Sequence, residues 1–147
     1  METDLFAQQE EKNESLSLYI DGASRGNPGP AGIGVVLCDG GDRIHWEFGK
    51  YIGETTNNVA EYTALIQGLQ EALLYKIKRL SVYTDSELLA RQIQGKYKVK
   101  EPHLKLLHQQ SLSLIQAFSR FKIHHLPRLE NRRADRLANK AIDTMKL

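Results

Sequence analysis

The hydrophobic period of this chain stays at two through three segments before it first turns helical, and that pattern limits the folds open to it. Leu16, Leu18 and Ile20 alternate with Ser17, Tyr19 and Asp21; Gly32 to Leu37 is a short apolar run; Ile44, Trp46 and Phe48 alternate with Arg43, His45 and Glu47. A period of two marks strands. Asp39-Gly40-Gly41-Asp42 is a hairpin signal between the second and third of them, so three antiparallel strands in meander order are expected first. After the cap formers Thr55-Thr56-Asn57-Asn58 the spacing becomes helical, with Ala60, Ala64, Leu65, Gly68, Leu69, Ala72 and Leu73 on one side of a helix from Val59 to Tyr75. Leu80 to Thr84 then reads as a strand and Glu87 to Gln94 as a helix. Pro102 opens a helix over Leu104 to Phe118, whose apolar set is Leu106, Leu107, Leu112, Leu114, Ile115 and Phe118. Phe121 to Leu126 is the last strand, with one of His124 and His125 expected to face inward as a structural histidine. Asn131 is an N-cap signal for a terminal helix buried along Ala134, Leu137, Ala138, Ala141 and Met145. Strands first and helices alternating with strands afterwards predict an α/β domain built on a five-stranded mixed sheet, three antiparallel strands then parallel ones, flanked by helices.

Composition narrows the class further. A chain of 147 residues has room for one real core. Residues 1–15, polar and acidic, are expected to be a disordered leader to a single domain over 16–147, with no signal-peptide pattern. No apolar stretch approaches the roughly 18 residues of a membrane span, and a cytoplasmic location is expected. The single cysteine, Cys38, excludes an intrachain disulfide framework and a cysteine-based zinc site. A net charge of +2 permits a nucleic-acid partner without demanding one.

Two acids, Asp21 and Asp85, are read at the carboxyl ends of strands, where such folds gather ligands, and two more, Glu61 and Asp135, near helix starts. Asp21 follows an apolar strand and meets Gly22, Gly26, Asn27, Pro28, Gly29 and Pro30; alone it could be a turn former. Asp85 lies just past the Leu80 to Thr84 strand and could cap the next helix. Glu61 falls near a helix start, where a helix-dipole role would account for it. Asp135 lies near the start of the last helix, beside its apolar stripe. Lys96-Tyr97-Lys98-Val99-Lys100 reads either as a solvated face or as a grip on a phosphate backbone.

The motifs around these acids resemble type 1 ribonuclease H. Asp21-Gly22-Ala23-Ser24-Arg25-Gly26-Asn27-Pro28-Gly29-Pro30 is similar to the family's DGSxxGNPGP segment, and Thr55-Thr56-Asn57-Asn58-Val59-Ala60-Glu61 to its TTNNxxE. Tyr83-Thr84-Asp85-Ser86 is similar to its YTDS, and Asn131-Arg132-Arg133-Ala134-Asp135 to its NxxAD. The four occur in the family's order and cover the chain from about Leu16 to its end. The resemblance implies the ribonuclease H fold and a metal-dependent endoribonuclease. Such an enzyme cuts the RNA strand of RNA–DNA hybrids and leaves 5′-phosphate and 3′-hydroxyl ends. It also implies that Asp21, Glu61, Asp85 and Asp135 hold two Mg2+ ions, with Mn2+ as a substitute, Asp21 bridging both. Independently of any family, four converging carboxylates repel one another unless cations neutralise them, and hard divalent cations take oxygen ligands. Gly22, Ser24, Asn27, Asn57, Asn58 and Ser86 occupy the resemblance's substrate-contact positions, and Lys96, Lys98 and Lys100 are added to them on charge.

The chain departs from the better-known members in three places. Where those carry a histidine-bearing GHxGxxxN loop, this chain has His125-Leu126-Pro127-Arg128-Leu129-Glu130-Asn131, similar to the VPRExN loop of short, archaeal-like members. Arg128 is the candidate auxiliary residue, a permanent cation that does not shuttle protons at neutral pH. Gly95 to Pro102 is too short for a basic handle helix, which the three lysines would partly replace. A hybrid-binding module before Leu16 is not expected. A monomer acting on hybrids is the expected form. The alternatives are a module that grips hybrids or double-stranded RNA with little cleavage, and an enzyme that also cuts double-stranded RNA.

Overall fold

The structure, a computed structural model, describes residues 15–40 and 43–145. The expected leader, and Gly41 and Asp42 of the hairpin turn, therefore lie outside the described residues, apart from Ser15, which opens the first strand. The strands are β1 (Ser15–Ser24), β2 (Gly29–Cys38), β3 (Ile44–Thr55), β4 (Arg79–Thr84) and β5 (Arg120–His125). The helices are α1 (Asn57–Leu74), α2 (Glu87–Ile93), α3 (Pro102–Ile115) and α4 (Arg132–Met145), with a 3-10 turn over Arg128–Glu130. The sheet runs β3-β2-β1-β4-β5, antiparallel from β1 to β3 and parallel from β1 through β4 to β5. β1 is thus the central strand, and the direction of chain travel switches across it, the place where open α/β sheets present ligand crevices.

Alternation decides which face is core. Leu18 and Ile20 from β1, Ile33, Val35 and Leu37 from β2 and Val82 from β4 are fully buried against Tyr62, Leu65 and Leu69 of α1. Each such Leu, Ile or Val side chain stabilises the fold by about 1.5–3 kcal/mol. α4 lies on the opposite face over β1, β2 and β3, burying Ala134, Ala138 and Ile142, while Leu137 and Ala141 are half-buried and Met145 is exposed. Its approach is set by glycine. A Cβ on Gly34 would stand 2.0 Å from the Ala134 carbonyl oxygen, and one on Gly49 would stand 2.5 Å from that of Leu137.

Several expected details differ, for local reasons. β1 continues through Gly22 to Ser24 and β2 begins at Gly29, so the turn formers shorten into a tight loop and do not end the strand at Asp21. What ends near Asp21 is the pairing with β4, whose last register pair is Ile20 with Thr84. A register shift between Leu37 and Cys38 sets Ile44 opposite Cys38 and Trp46 opposite Leu37. One extra residue on β3 therefore sends Ile44 away from Trp46 and Phe48, into a cavity with Tyr19, Val36 and Cys38. α3 stops at Ile115, and only Leu104 and Ser111 on it are buried; Leu106 is 58% exposed, and Phe118 is buried beyond the helix. His124 and His125 are both exposed: α4 covers β1, β2 and β3 and leaves the His124 face of β5 open, while His125, on the face of Phe121 and Ile123, is the last residue of this edge strand.

Candidate active site

Four elements deliver the four acids to one place. Asp21 is on β1, buried, one residue past the last β4 pair. Glu61 is on α1, buried, with its Oε1 accepting a short hydrogen bond from the Gly22 backbone N–H. That bond requires α1 to touch β1 backbone to backbone: a Cβ on Gly22 would lie 2.2 Å from the Ala60 carbonyl carbon and 2.4 Å from the Glu61 nitrogen. Gly22 thus serves to place Glu61. Asp85 follows β4, and the N-cap of α2 is Ser86, whose Oγ accepts from the Leu89 N–H at 3.1 Å. The capping role open to Asp85 is thus taken up by Ser86, and the Asp85 carboxylate is left for the cleft. Asp135 sits in the first turn of α4.

Asp21, Glu61 and Asp85 each offer an oxygen within 4.8 Å of the other two. Asp135 lines the same cleft, of about 400 Å³, and is near enough to share a hydrogen bond with Asp21. Burial dominates the electrostatics. It pushes the Asp21 carboxyl up to about 10, helped by the charges of Glu61, Asp85 and Asp135. Burial likewise raises Glu61 to about 8, against the opposing Gly22 N–H. Asp85 is raised by its burial too, while Arg128 pulls it the other way. Without a cation this cluster keeps protons that isolated carboxylates release.

Asp135 is held from two sides through one oxygen. Arg128 donates to its Oδ1 from 3.4 Å and Asn139 Nδ2 donates to the same atom from 3.2 Å. Asn139 is gripped in turn by Arg25, whose Nη2 lies 3.3 Å from the Asn139 Oδ1 and whose Nη1 pairs with Asp143. Sequence reasoning missed Arg25 and Asn139. The signal was a second stripe at i, i+4 spacing, Asn131, Asp135, Asn139 and Asp143, beside the apolar one. Asn131 precedes α4 as expected, but its side chain does not cap the helix. Nδ2 donates to the Ile20 carbonyl at 2.8 Å, and Oδ1 is buried without a hydrogen-bond partner. The residue thus ties the start of α4 to the strand position before Asp21.

The chain is similar to known proteins over nearly its whole length. Residues 19–141 match a family model described as reverse transcriptase-like. The ribonuclease HI of Halobacterium salinarum is 41% identical over 135 residues, covering 92% of this chain and 68% of that protein. This chain belongs to the type 1 ribonuclease H family. It is an enzyme of the ribonuclease H class. The crystal structure of the Halobacterium salinarum NRC-1 RNase H1 superposes with a TM-score of 0.86 at 42% identity, covering 88% of this chain and 98% of that one. LC11-RNase H1, solved in complex with an RNA/DNA hybrid, gives a TM-score of 0.86 at 45% identity, covering 90% and 100%. The fold expected for a ribonuclease H is the fold found.

The remaining expected site residues divide between two places. Ser24, Asn57, Ser86 and Arg128 line the acid cleft with Gly22. Asn27 acts from behind, its Oδ1 accepting from the Asn57 N–H at 3.1 Å and so tying the β1–β2 loop to the start of α1. Asn58 faces the other way, into a groove it shares with Lys96, Lys98 and Lys100. The first turn of α1 is therefore a ridge, with acids on one side and lysines on the other. Among the described residues no helix is long and apolar enough to cross a membrane.

Proposed function

We propose that this ribonuclease H hydrolyses the RNA strand of RNA–DNA hybrids with Mg2+ as cofactor, leaving 5′-phosphate and 3′-hydroxyl ends. The observation that carries the reading is the convergence of Asp21, Glu61 and Asp85, with Asp135 beside them, in one cleft. The donor set is all carboxylate oxygen, with no thiolate or imidazole, which fits a hard cation such as Mg2+ or Mn2+. When bound, two such ions would neutralise the cluster, activate a water and stabilise the leaving 3′ oxygen. The chain's own residues do the rest. Glu61 is fixed by Gly22, Asp135 by Asn139 and Arg128, and Asn57 and Ser86 stand at the cleft's edge where a ribose and its phosphate would lie. A hybrid ligand is further supported by the RNA/DNA complex of LC11-RNase H1.

End chemistry tests the reaction class. Products ready for ligation, with 5′-phosphate and 3′-hydroxyl, are expected. A 2′,3′-cyclic phosphate would mean that the ribose hydroxyl was the nucleophile and would overturn the proposal.

Arg128 is assigned an auxiliary role beside the last acid. Its side chain is 74% exposed and 3.4 Å from Asp135, so Arg128→Ala is expected to lower kcat about 10-fold, equivalent to about 1.4 kcal/mol in the barrier, with hybrid affinity little changed. An unchanged kcat removes it from the site. The lysine groove is assigned to the hybrid's backbone. Replacing Lys96, Lys98 and Lys100 together by Ala should weaken hybrid binding and flatten the salt dependence by up to about 0.9 in slope for each phosphate no longer neutralised. The same slope in both proteins would return the three lysines to a solvated surface.

A further inference from the structure

We propose that the face of β4 and β5 not covered by α4 is a second nucleic-acid site, a platform for a single strand. Three aromatic rings stand in register, Tyr83 on β4 and His124 on β5 within this face and Tyr19 on β1 at its margin, beside the start of α4. They form one pile, with ring centroids 4.9 Å apart from Tyr19 to Tyr83 and 5.1 Å from Tyr83 to His124, at interplanar angles of 16° and 25°. The next row along the strands is Ser17, Ser81 and Lys122, and the one after it is Ser15, Arg79 and Arg120. These nine positions hold three cations and no acid. Arg120, Lys122 and His124 are exposed.

The arrangement selects its ligand. β5 is the edge of the sheet, so among the described residues no strand stands beyond His124 and the pile ends in an open imidazole face. A base stacked there continues the pile, and base–aromatic stacking works with any base. Lys122 and Arg120 lie two residues apart on one face of a strand, about 6.7 Å, and follow the backbone of that same strand. An acidic peptide would use the two cations but has no group for the ring face. Inside a paired duplex both faces of each base are already stacked, so only its terminal pair could continue the pile, and successive bases along Lys122 and Arg120 require a single strand. Tyr19 and Asp21 share a face of β1, so the platform adjoins the acid cleft. It would therefore hold a single-stranded extension of a hybrid bound there. This link to a bound hybrid rests on the function proposed above; binding of the strand does not.

Anisotropy of a labelled single-stranded oligonucleotide, in chelator so that cleavage plays no part, tests the platform. The oligonucleotide is expected to bind the full chain. His124→Ala should weaken it about 10-fold, and His124→Phe, which keeps a ring, should restore it. Reversing both cations (R120E with K122E) should weaken it and lower the salt slope by about 1.4, the value for two phosphates of a single strand. Cleavage of a blunt hybrid should stay within about 2-fold of wild type in all three proteins, since those positions lie outside the acid cleft and the lysine groove. Affinity for the oligonucleotide that is indifferent to these changes overturns the platform. So does a labelled acidic peptide that binds this face while the oligonucleotide does not. Loss of blunt-hybrid cleavage in wild type with oligonucleotide binding intact would count against the nuclease reading alone.

Discussion

Asp21→Asn is expected to abolish turnover, lowering kcat by about 10³-fold or more, while hybrid affinity stays within about 3-fold of wild type. The size follows from what one preorganised electrostatic group supplies in a water-excluded site; here the group would also be the central ligand of the cation cluster. The shape of the Asn amide is nearly that of the carboxylate, so β1 and its neighbours need not move. Binding should survive because the lysine groove, on the far side of the α1 ridge, is untouched. Without metal the variant should also be at least as stable as wild type, since a buried carboxyl crowded by Glu61 and Asp85 is removed. Paired measurements of kcat, hybrid Kd and melting temperature check all three. Retained metal-dependent turnover would remove Asp21 from the chemistry. Loss of binding along with turnover would mean that the acid cleft, and not the groove, supplies the grip.

The second large effect is a dependence of stability on pH that metal reverses. Burial raises Asp21 from 3.8 to about 10 and Glu61 from 4.5 to about 8 in the folded chain. The folded state therefore binds more protons than the unfolded state above the ordinary carboxylate range. Stability is then fully present below about pH 4 as far as these groups are concerned and is lost as pH rises through the folded values. For one retained proton the limiting slope is about 1.4 kcal/mol per pH unit, or up to about 5 °C per unit in melting temperature for a chain of this size. Cations need the deprotonated cluster, so the gain on adding Mg2+ should grow with pH. The expected result is a melting temperature that falls from pH 5 to pH 9 in chelator and flattens in Mg2+. A metal-free curve flat across that range, or the same Mg2+ increment at both ends, would contradict the burial argument.

Each acid taken alone also fitted a bland local role, as turn former, cap or helix-dipole partner, and the four were legible as a set because their surrounding motifs occur together in the order of the ribonuclease H family. The antiparallel meander and the parallel strands after it were legible from a period of two that gives way to helices alternating with strands, whereas the pairing of β4 with β1 was not. What was not legible depends on tertiary contact. Asn131 stands where an N-cap belongs, yet its amide goes to the Ile20 carbonyl of a strand 111 positions earlier. Asp85 could have been the cap of α2 until Ser86 was seen to take that place. The Arg25–Asn139–Asp135 chain joins a loop and a helix that nothing in the local sequence connects. Ile44 changes face because β3 holds one residue more than β2 across the bulge, which a period count over a short strand does not reveal. Alternation along β5 turns one of its histidines inward only if something covers it; α4 lies over β1, β2 and β3 and misses His124, and His125 stands at the strand's last position, past buried Ile123.

The most direct test of the central claim is cleavage of one labelled strand in three matched duplexes, RNA–DNA, RNA–RNA and DNA–DNA, each with Mg2+ or Mn2+ and with chelator. Cutting of the RNA in the hybrid alone, dependent on the cation and absent in chelator, is the predicted result. Cutting of the RNA–RNA duplex as well would widen the substrate class while keeping the site. Binding of the hybrid with no cutting in either metal would contradict the account and leave this ribonuclease H fold a reader of hybrids.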